Sequence, residues 1–295
     1  MKKLIALLLA AMMIVTCFAA CGQKNPTADE AGTNAATNAP AGETTEGTEE
    51  VEATEENTEA GEASDLAYVQ SNGKIIVGIT EYEPMDYKDE NGEWTGFDAE
   101  LAREFAASMN IECEFFVLAD WGKKFFELDA KNIDCVWNGM TITEEALANA
   151  AVSNPYVINA QVVVMKADQV AQYADAESMK DLTFAVEEGS AGQSVATEAG
   201  LTTISKQDQA GALMEVAAGT ADACVIDITM AKAMTGEGTD YADLGIGISL
   251  SSEEYGVAFR KGSDMAEKFN QFLTDCKADG SLQTLAEKYQ LTLAE

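Results

Sequence analysis

Histidine is absent from the 295 residues. That removes Ser-His-Asp and Cys-His catalysis and the commonest transition-metal ligand. Bases are scarce as well: 18 Lys and Arg face 51 Asp and Glu, a formal net charge of −33, with no basic run after Lys3. Nucleic-acid affinity comes from clustered Lys and Arg that neutralise phosphate, so that class is excluded. The six cysteines form no CxxC pair. Cys113, Cys135, Cys224 and Cys276 lie far apart and read as buried, unpaired thiols in preference to disulfides. Of four prolines only Pro84 and Pro155 fall after the acidic stretch described below, each in a loop that turns the chain. No apolar run reaches the about 20 residues of a membrane span. Nothing in the composition calls for a metal, a cofactor or a catalytic residue.

What is present begins with a leader. Met1-Lys2-Lys3 precedes an apolar run from Leu4 to Val15, long enough for a signal-peptide core and too short to span comfortably. Phe18-Ala19-Ala20-Cys21-Gly22 resembles the lipobox of bacterial lipoproteins, which implies a signal peptide over 1–20 and lipid on Cys21. Cys17, after Thr16, fits less well, and cleavage by ordinary signal peptidase is the competing reading. Residues 22–65 then carry twelve acids against one base, Lys24, and almost no aliphatic or aromatic side chain. Such a segment cannot bury enough apolar surface to order itself. Residues 21–65 are therefore expected to form a disordered acidic tether, spanning roughly 35 Å.

About 230 residues remain, enough for one large domain or two lobes. Lys74–Ile79 (KIIVGI) is a β-branched apolar run, as in a strand buried on both faces. Residues 98–109 set Leu101, Phe105 and Met109 along one helical face. Strands are predicted at 114–118 and 133–137, around a helix that Asp120 can cap and that carries Phe125, Phe126 and Leu128. Strands at 161–165, 183–186 and 223–228 follow, with a helix over 207–218 whose apolar face is Leu213, Met214 and Ala217. Two closing helices carry Phe269, Leu273 and Cys276, then Leu282, Leu285 and Tyr289. The alternation predicts an α/β fold with parallel-rich sheets flanked by helices. A faint repeat relates 130–136 to 218–225: helix end, turn, Asp, strand. Polar residues follow each strand, and ligands of open parallel sheets lie beyond the strands' carboxyl ends, so two such lobes face to face would enclose a cleft.

Ile76-Val77-Gly78-Ile79-Thr80, Tyr82-Glu83-Pro84-Met85, Gly96-Phe97-Asp98, residues 133–143 (IDCVWNGMTIT) and Ser153-Asn154-Pro155-Tyr156 come in a telling order. In order and spacing they resemble the family 3 extracellular solute-binding proteins, the polar-amino-acid receptors of ABC transporters. The resemblance continues through Gly189-Ser190, Ala221-Asp222-Ala223, 254–258 and 278–282. It implies a two-lobed, type II periplasmic-binding-protein-like fold with the ligand cleft between lobe 1 (66–157 plus 253–295) and lobe 2 (158–252). It implies a lipid-anchored extracytoplasmic receptor for an amino acid or analogue, with a permease as partner and a monomer as the expected state. Ligand contacts are carried over to Tyr82 and Met85 in the first loop and to Trp121 after the second strand. Asn138, Gly139, Met140 and Thr141 take the rim of lobe 1, and Ser190, Ala191 and Asp227 that of lobe 2.

A zwitterion in a cleft needs an anion for its ammonium and donors for its carboxylate, because unpaired buried charge costs several kcal/mol. Asp227 can supply the anion. The hydroxyls of Thr141 and Ser190, with backbone N–H groups after Gly139 and Gly189, can supply donors. Tyr82 and Trp121 can sandwich the ligand side chain; core packing is the competing reading for both, as a solvated strand-end acid is for Asp227. One position departs from the family. Ala146 stands where an arginine usually clamps the ligand carboxylate, and Lys123 and Lys124 are the nearest bases. With Asp227 and the nearby Glu81, Glu83, Glu187 and Glu188, the site is expected to be net negative and to favour neutral polar or cationic ligands. Two other classes compete. A dehydratase-like enzyme of this fold would need an acid or base such as Glu81, Glu83 or Glu188. A sensory module would be fused to a membrane span and signalling domain, and none is expected after Glu295.

Overall fold

The computed structural model describes residues 64–295. The expected signal peptide, Cys21 and the tether up to residue 63 lie outside the described residues. The description starts with α1 (Asp65–Asn72), whose N-cap hydroxyl on Ser64 accepts from Ala67 N at 3.0 Å. Then come β1 (Lys74–Ile79), the short ribbon β2 (Tyr87–Lys88) and β3 (Trp94–Thr95), α2 (Phe97–Ser108) and β4 (Glu112–Val117). They are followed by α3 (Lys124–Asp129), β5 (Cys135–Val136), α4 (Glu144–Asn149), β6 (Ala150–Val152) and β7 (Val157–Asn159). The next part holds β8 (Gln161–Lys166), β9 (Thr183–Glu187), α5 (Ala191–Glu198), β10 (Thr202–Lys206), α6 (Gln209–Ala218) and β11 (Ala223–Asp227). The last comprises α7 (Ile228–Met234), β12 (Leu244–Ser249), β13 (Glu253–Tyr255), β14 (Ala258–Arg260), α8 (Met265–Asp279) and α9 (Ser281–Lys288).

Two five-stranded sheets result, ordered β4-β1-β5-β14-β6 and β10-β9-β11-β8-β12. Both mix directions for one reason. Strands joined through a helix must run parallel: β4, β1 and β5 through α2 and α3, and β10, β9 and β11 through α5 and α6. One strand in each sheet is reversed: β14 pairs antiparallel with both β5 and β6, and β8 with both β11 and β12. Between the sheets, β7 and β13 pair antiparallel, with Asn159 opposite Glu253. This is a two-lobed α/β fold. The first core is aromatic at its centre, where Trp137 and Phe105 both meet Phe269 edge-on, at ring centroid distances of 4.7 and 5.2 Å.

The faint sequence repeat has a structural cause. Asp134 in the first sheet accepts from Ile76 N at 2.9 Å, and Asp222 in the second accepts from Thr183 N at 2.8 Å. Each acid thus satisfies a backbone donor on the neighbouring parallel strand. In the first sheet Asp134 also pairs with Arg260 at 3.0 Å, which forks to Asp65 at 3.0 Å. Asp65, expected at the tether's end, is therefore held in α1.

Two further expectations are modified, and the cysteine expectation holds. The helix over 207–218 is rotated: Ala212, Leu213 and Val216 are buried, while Met214 is 57% exposed. Its cap is Asp208, whose carboxylate accepts from Gly211 N at 2.7 Å, so the helix starts later, and its packing against β9 and β11 sets the inward face. Likewise Phe126 is 68% exposed while Phe125 and Leu128 point inward. Cys113, Cys135, Cys224 and Cys276 are all free thiols, three of them buried.

Candidate functional site

A cavity of about 330 Å³ opens where the parallel strands of both sheets end. Trp121 comes from the turn after β4, and Asn138, Gly139, Met140 and Thr141 from the loop after β5. Ser190 and Ala191 come from the turn after β9, and Asp227 ends β11. Eight of the ten ligand contacts expected from sequence thus line one cavity.

Tyr82 and Met85 do not. Their loop folds back on itself, Tyr82 N donating to Asp86 O at 2.7 Å and Met85 N to Tyr82 O at 2.8 Å. Tyr82 is 2% exposed, and its hydroxyl bonds those of Thr229 and Tyr255. It backs the wall: a Cβ on Gly139, whose φ is +54°, would lie 2.6 Å from Tyr82 Cε1. Met85 is fully buried beside the start of α2, its carbonyl accepting from Asp98 N at 3.0 Å. Sequence position marks the loop but not which way it turns.

On the first sheet's side the rim is held from behind. Asn138 accepts from Thr80 N and Oγ1 at 3.0 and 2.6 Å and donates to Thr80 O and Asp86 Oδ2 at 3.0 and 2.7 Å. Gly139 N donates to Asp98 Oδ2 at 2.6 Å, and the Tyr156 hydroxyl donates to the same carboxylate. Burial raises Asp98 to about 7, and these hydrogen bonds partly offset it. Thr141 Oγ1 donates to Glu253 Oε1 at 2.8 Å, so its hydroxyl hydrogen faces the protein. Ala146 lines the cavity without a polar group.

On the other side Ser190 caps α5, its Oγ accepting from Gln193 N at 3.1 Å. Asp227 Oδ1 accepts from Gln161 and Tyr255, each at 2.8 Å, and from Asn159; Oδ2 accepts from Gln209. Burial and then the charge of Glu253 lift its carboxyl to about 7, against those hydrogen bonds. Glu187 ends β9, is 3% exposed, and lines the cavity. Its Oε1 has no hydrogen-bond partner among the described residues. Burial, then Asp227 and Asp208, hold Glu187 well above the usual carboxylate range, opposed by Lys124.

The two candidate lysines part company. Lys123 pairs with Asp120 at 2.7 Å on the surface. Lys124 is buried on the cavity wall, its Nζ donating to Gly189 O at 3.2 Å and lying 4.9 Å from the Trp121 ring centroid. Burial lowers its pKa, with Glu145, Glu187 and Asp120 opposing. Six acids and this one lysine line the cavity, and Glu81, Glu83 and Glu188 do not. The sequence reading did not single out Asn159, Gln161, Gln209 or Glu253, which organise Asp227. The available signal was Gln161, an amide opening the apolar run QVVVM. Among the described residues no group of three His, Cys, Asp or Glu is placed to hold a metal ion, and no helix is long and apolar enough to cross a membrane.

Comparison with known proteins bears on the fold and the family. The L-cystine-binding protein TcyJ of Escherichia coli (strain K12) is 27% identical over 228 residues, 76% of this chain and 85% of that protein. The arginine-binding extracellular protein ArtP of Bacillus subtilis (strain 168) is 30% identical over 226 residues, covering 73% and 86%. A crystal structure of a mutant of ArgBP from T. maritima superposes with a TM-score of 0.71 at 33% identity, covering 76% of this chain and 98% of that one. The family model for bacterial extracellular solute-binding proteins, family 3, matches residues 75–292, and the chain belongs to that family.

Proposed function

We propose that this protein is an extracytoplasmic receptor that binds a small polar amino acid or close analogue and delivers it to an ABC transporter permease. The observation that carries this is the cavity itself, walled by strand ends of both sheets and holding a buried acid, Asp227, opposite an aromatic, Trp121. Asp227 takes the ligand ammonium. The carboxylate is met by Lys124 and by the first-turn N–H groups of α5 at Ala191 and Gly192, in place of the arginine whose position Ala146 fills. Trp121, Gly139, Met140 and Ser190 shape the remaining wall. Residues 66–157 with 253–295 form one lobe and 158–252 the other, the β7–β13 pair joining them. The protein is a monomer, and a diacylated Cys21 holds it to the membrane. It is a binder and not an enzyme: the relatives it resembles are named for binding, and Glu81, Glu83 and Glu188 stand off the cavity.

Calorimetric titration of the purified protein against the twenty amino acids tests the reading. Saturable binding of one or a few is expected. No binding to any of them, or turnover of one that does bind, would overturn it. Cys21→Ser should release the protein from membranes, and a variant that still fractionates with membranes at unchanged acyl mass would refute the anchor.

A further inference from the structure

We propose that Glu187 sets the charge of the ligand by accepting a second cationic group, the guanidinium or side-chain ammonium of a basic amino acid, while Asp227 holds the first. This rests on the amino-acid-binding reading above. The three buried or half-buried acids around Asp227 are not equivalent. Asp227 accepts from Asn159, Gln161, Gln209 and Tyr255, and Glu253 from Thr141, Asn159, Gln161 and Ser251. Glu253 and Asp227 Oδ1 are filled by protein donors, while Asp227 Oδ2 accepts from Gln209 and keeps a lone pair for the ligand ammonium. Glu187 is different: it is as deeply buried as Asp227, lies on the cavity wall, and keeps Oε1 without a partner among the described residues.

A buried acceptor left unmet costs free energy that a ligand donor would recover. The donor favoured here is a cation. Asp227 and Asp208 add negative potential at Glu187, and Lys124 is the one described base that opposes them. Lys124 does not neutralise Glu187 by contact: no ion pair joins them, and its Nζ is directed to the carbonyls of Trp121 and Gly189. Burial and the neighbouring acids together hold Glu187 towards its protonated form, and an arriving cation reverses that balance. A neutral amide could fill the acceptor but would leave the surrounding negative potential unmet. Trp121 is an aromatic that attracts cations, with the Lys124 ammonium 4.9 Å from its ring centroid, and a planar guanidinium can stack on such a ring.

L-arginine and L-citrulline are nearly isosteric and differ in the charge at issue. The experiment is calorimetric titration of the purified full-length protein with each, in wild type, Glu187→Gln and Lys124→Met. Wild type should bind arginine at least about 30-fold more tightly than citrulline, as expected of one buried charge-assisted pair. Glu187→Gln should collapse that ratio to about threefold or less by weakening arginine and sparing citrulline. Lys124→Met should weaken both ligands and preserve the ratio. If the Gln variant melts too low to titrate, Glu187→Asp serves instead: it keeps the charge and should retain a preference for arginine. Equal affinity for the two ligands in wild type, or a ratio that survives Glu187→Gln, would overturn the assignment. A neutral amino acid binding tightly where arginine does not would refute Glu187's role and leave the receptor reading standing. Failure of wild type to bind any amino acid would remove both.

Discussion

Trp121 belongs to the cavity and to a core at once. It is 7% exposed and packs with Leu118, Phe125 and Leu128, while it lines the cavity beside Lys124. A ligand-facing ring that cost little to remove would have to stand free of such packing. Trp121→Ala should therefore lower both ligand affinity and stability, the latter by about 3 kcal/mol or more, as for other large-to-small core changes. Calorimetry and thermal melting read the two separately, and an unchanged melting temperature would show the packing to be dispensable. Asp98 makes a second prediction. Burial raises it to about 7 from the ordinary 3.8, and Asp227 likewise. A carboxyl with a raised folded pKa binds more protons in the folded state. Its contribution is thus full below the ordinary value and is lost as pH rises through about 7. The melting temperature should fall between pH 4 and pH 7, and Asp98→Asn should flatten that slope. A slope unchanged in the variant would assign the pH dependence to other acids.

Among the elements, the turns after β4 and β9 show why two small residues matter. Gly189 has φ +71°, and a Cβ there would sit 2.5 Å from Gly122 Cα. Backbone meets backbone at this point, so no flexible side chain can give way. Gly189→Ala combines left-handed strain with a wedge between the two turns. It should weaken ligand binding at least about tenfold by holding the walls apart, the scale of about 1.4 kcal/mol. Titration checks this, and wild-type affinity in the variant would mean that the turns need not meet.

For the whole molecule the joining segments decide how the lobes can move. The short β7–β13 pair lies where the chain passes from one sheet to the other, and we propose that the crossings near Asn159 and Ser252 act as a hinge of few residues. Ligand bridging Asp227 on one wall and Trp121 on the other should therefore close the cleft. Small-angle scattering should show a smaller radius of gyration at saturating ligand than without it. An unchanged radius would mean that binding needs no closure.

The α/β alternation, the strands at 74–79 and 223–227 and the polar turns beyond them were legible because each rests on local pattern: β-branched runs, caps and turn residues adjacent in sequence. So was the repeat around Asp134 and Asp222, where an acid at a fixed offset bonds the neighbouring strand. The strands β10 (TTISK) and β12 (LGIGIS) were not legible, since short, glycine- or threonine-rich segments carry little periodicity and are stabilised by their neighbours in the sheet. The way the Tyr82 hydroxyl is held, the ring of amides around Asp227, and the contrast between an Asp227 Oδ1 crowded with donors and a Glu187 Oε1 with none among the described residues depend on partners 18 to 173 residues away. Hydrogen-bond satisfaction is a property of the packed site, and it exists only once both walls are brought together.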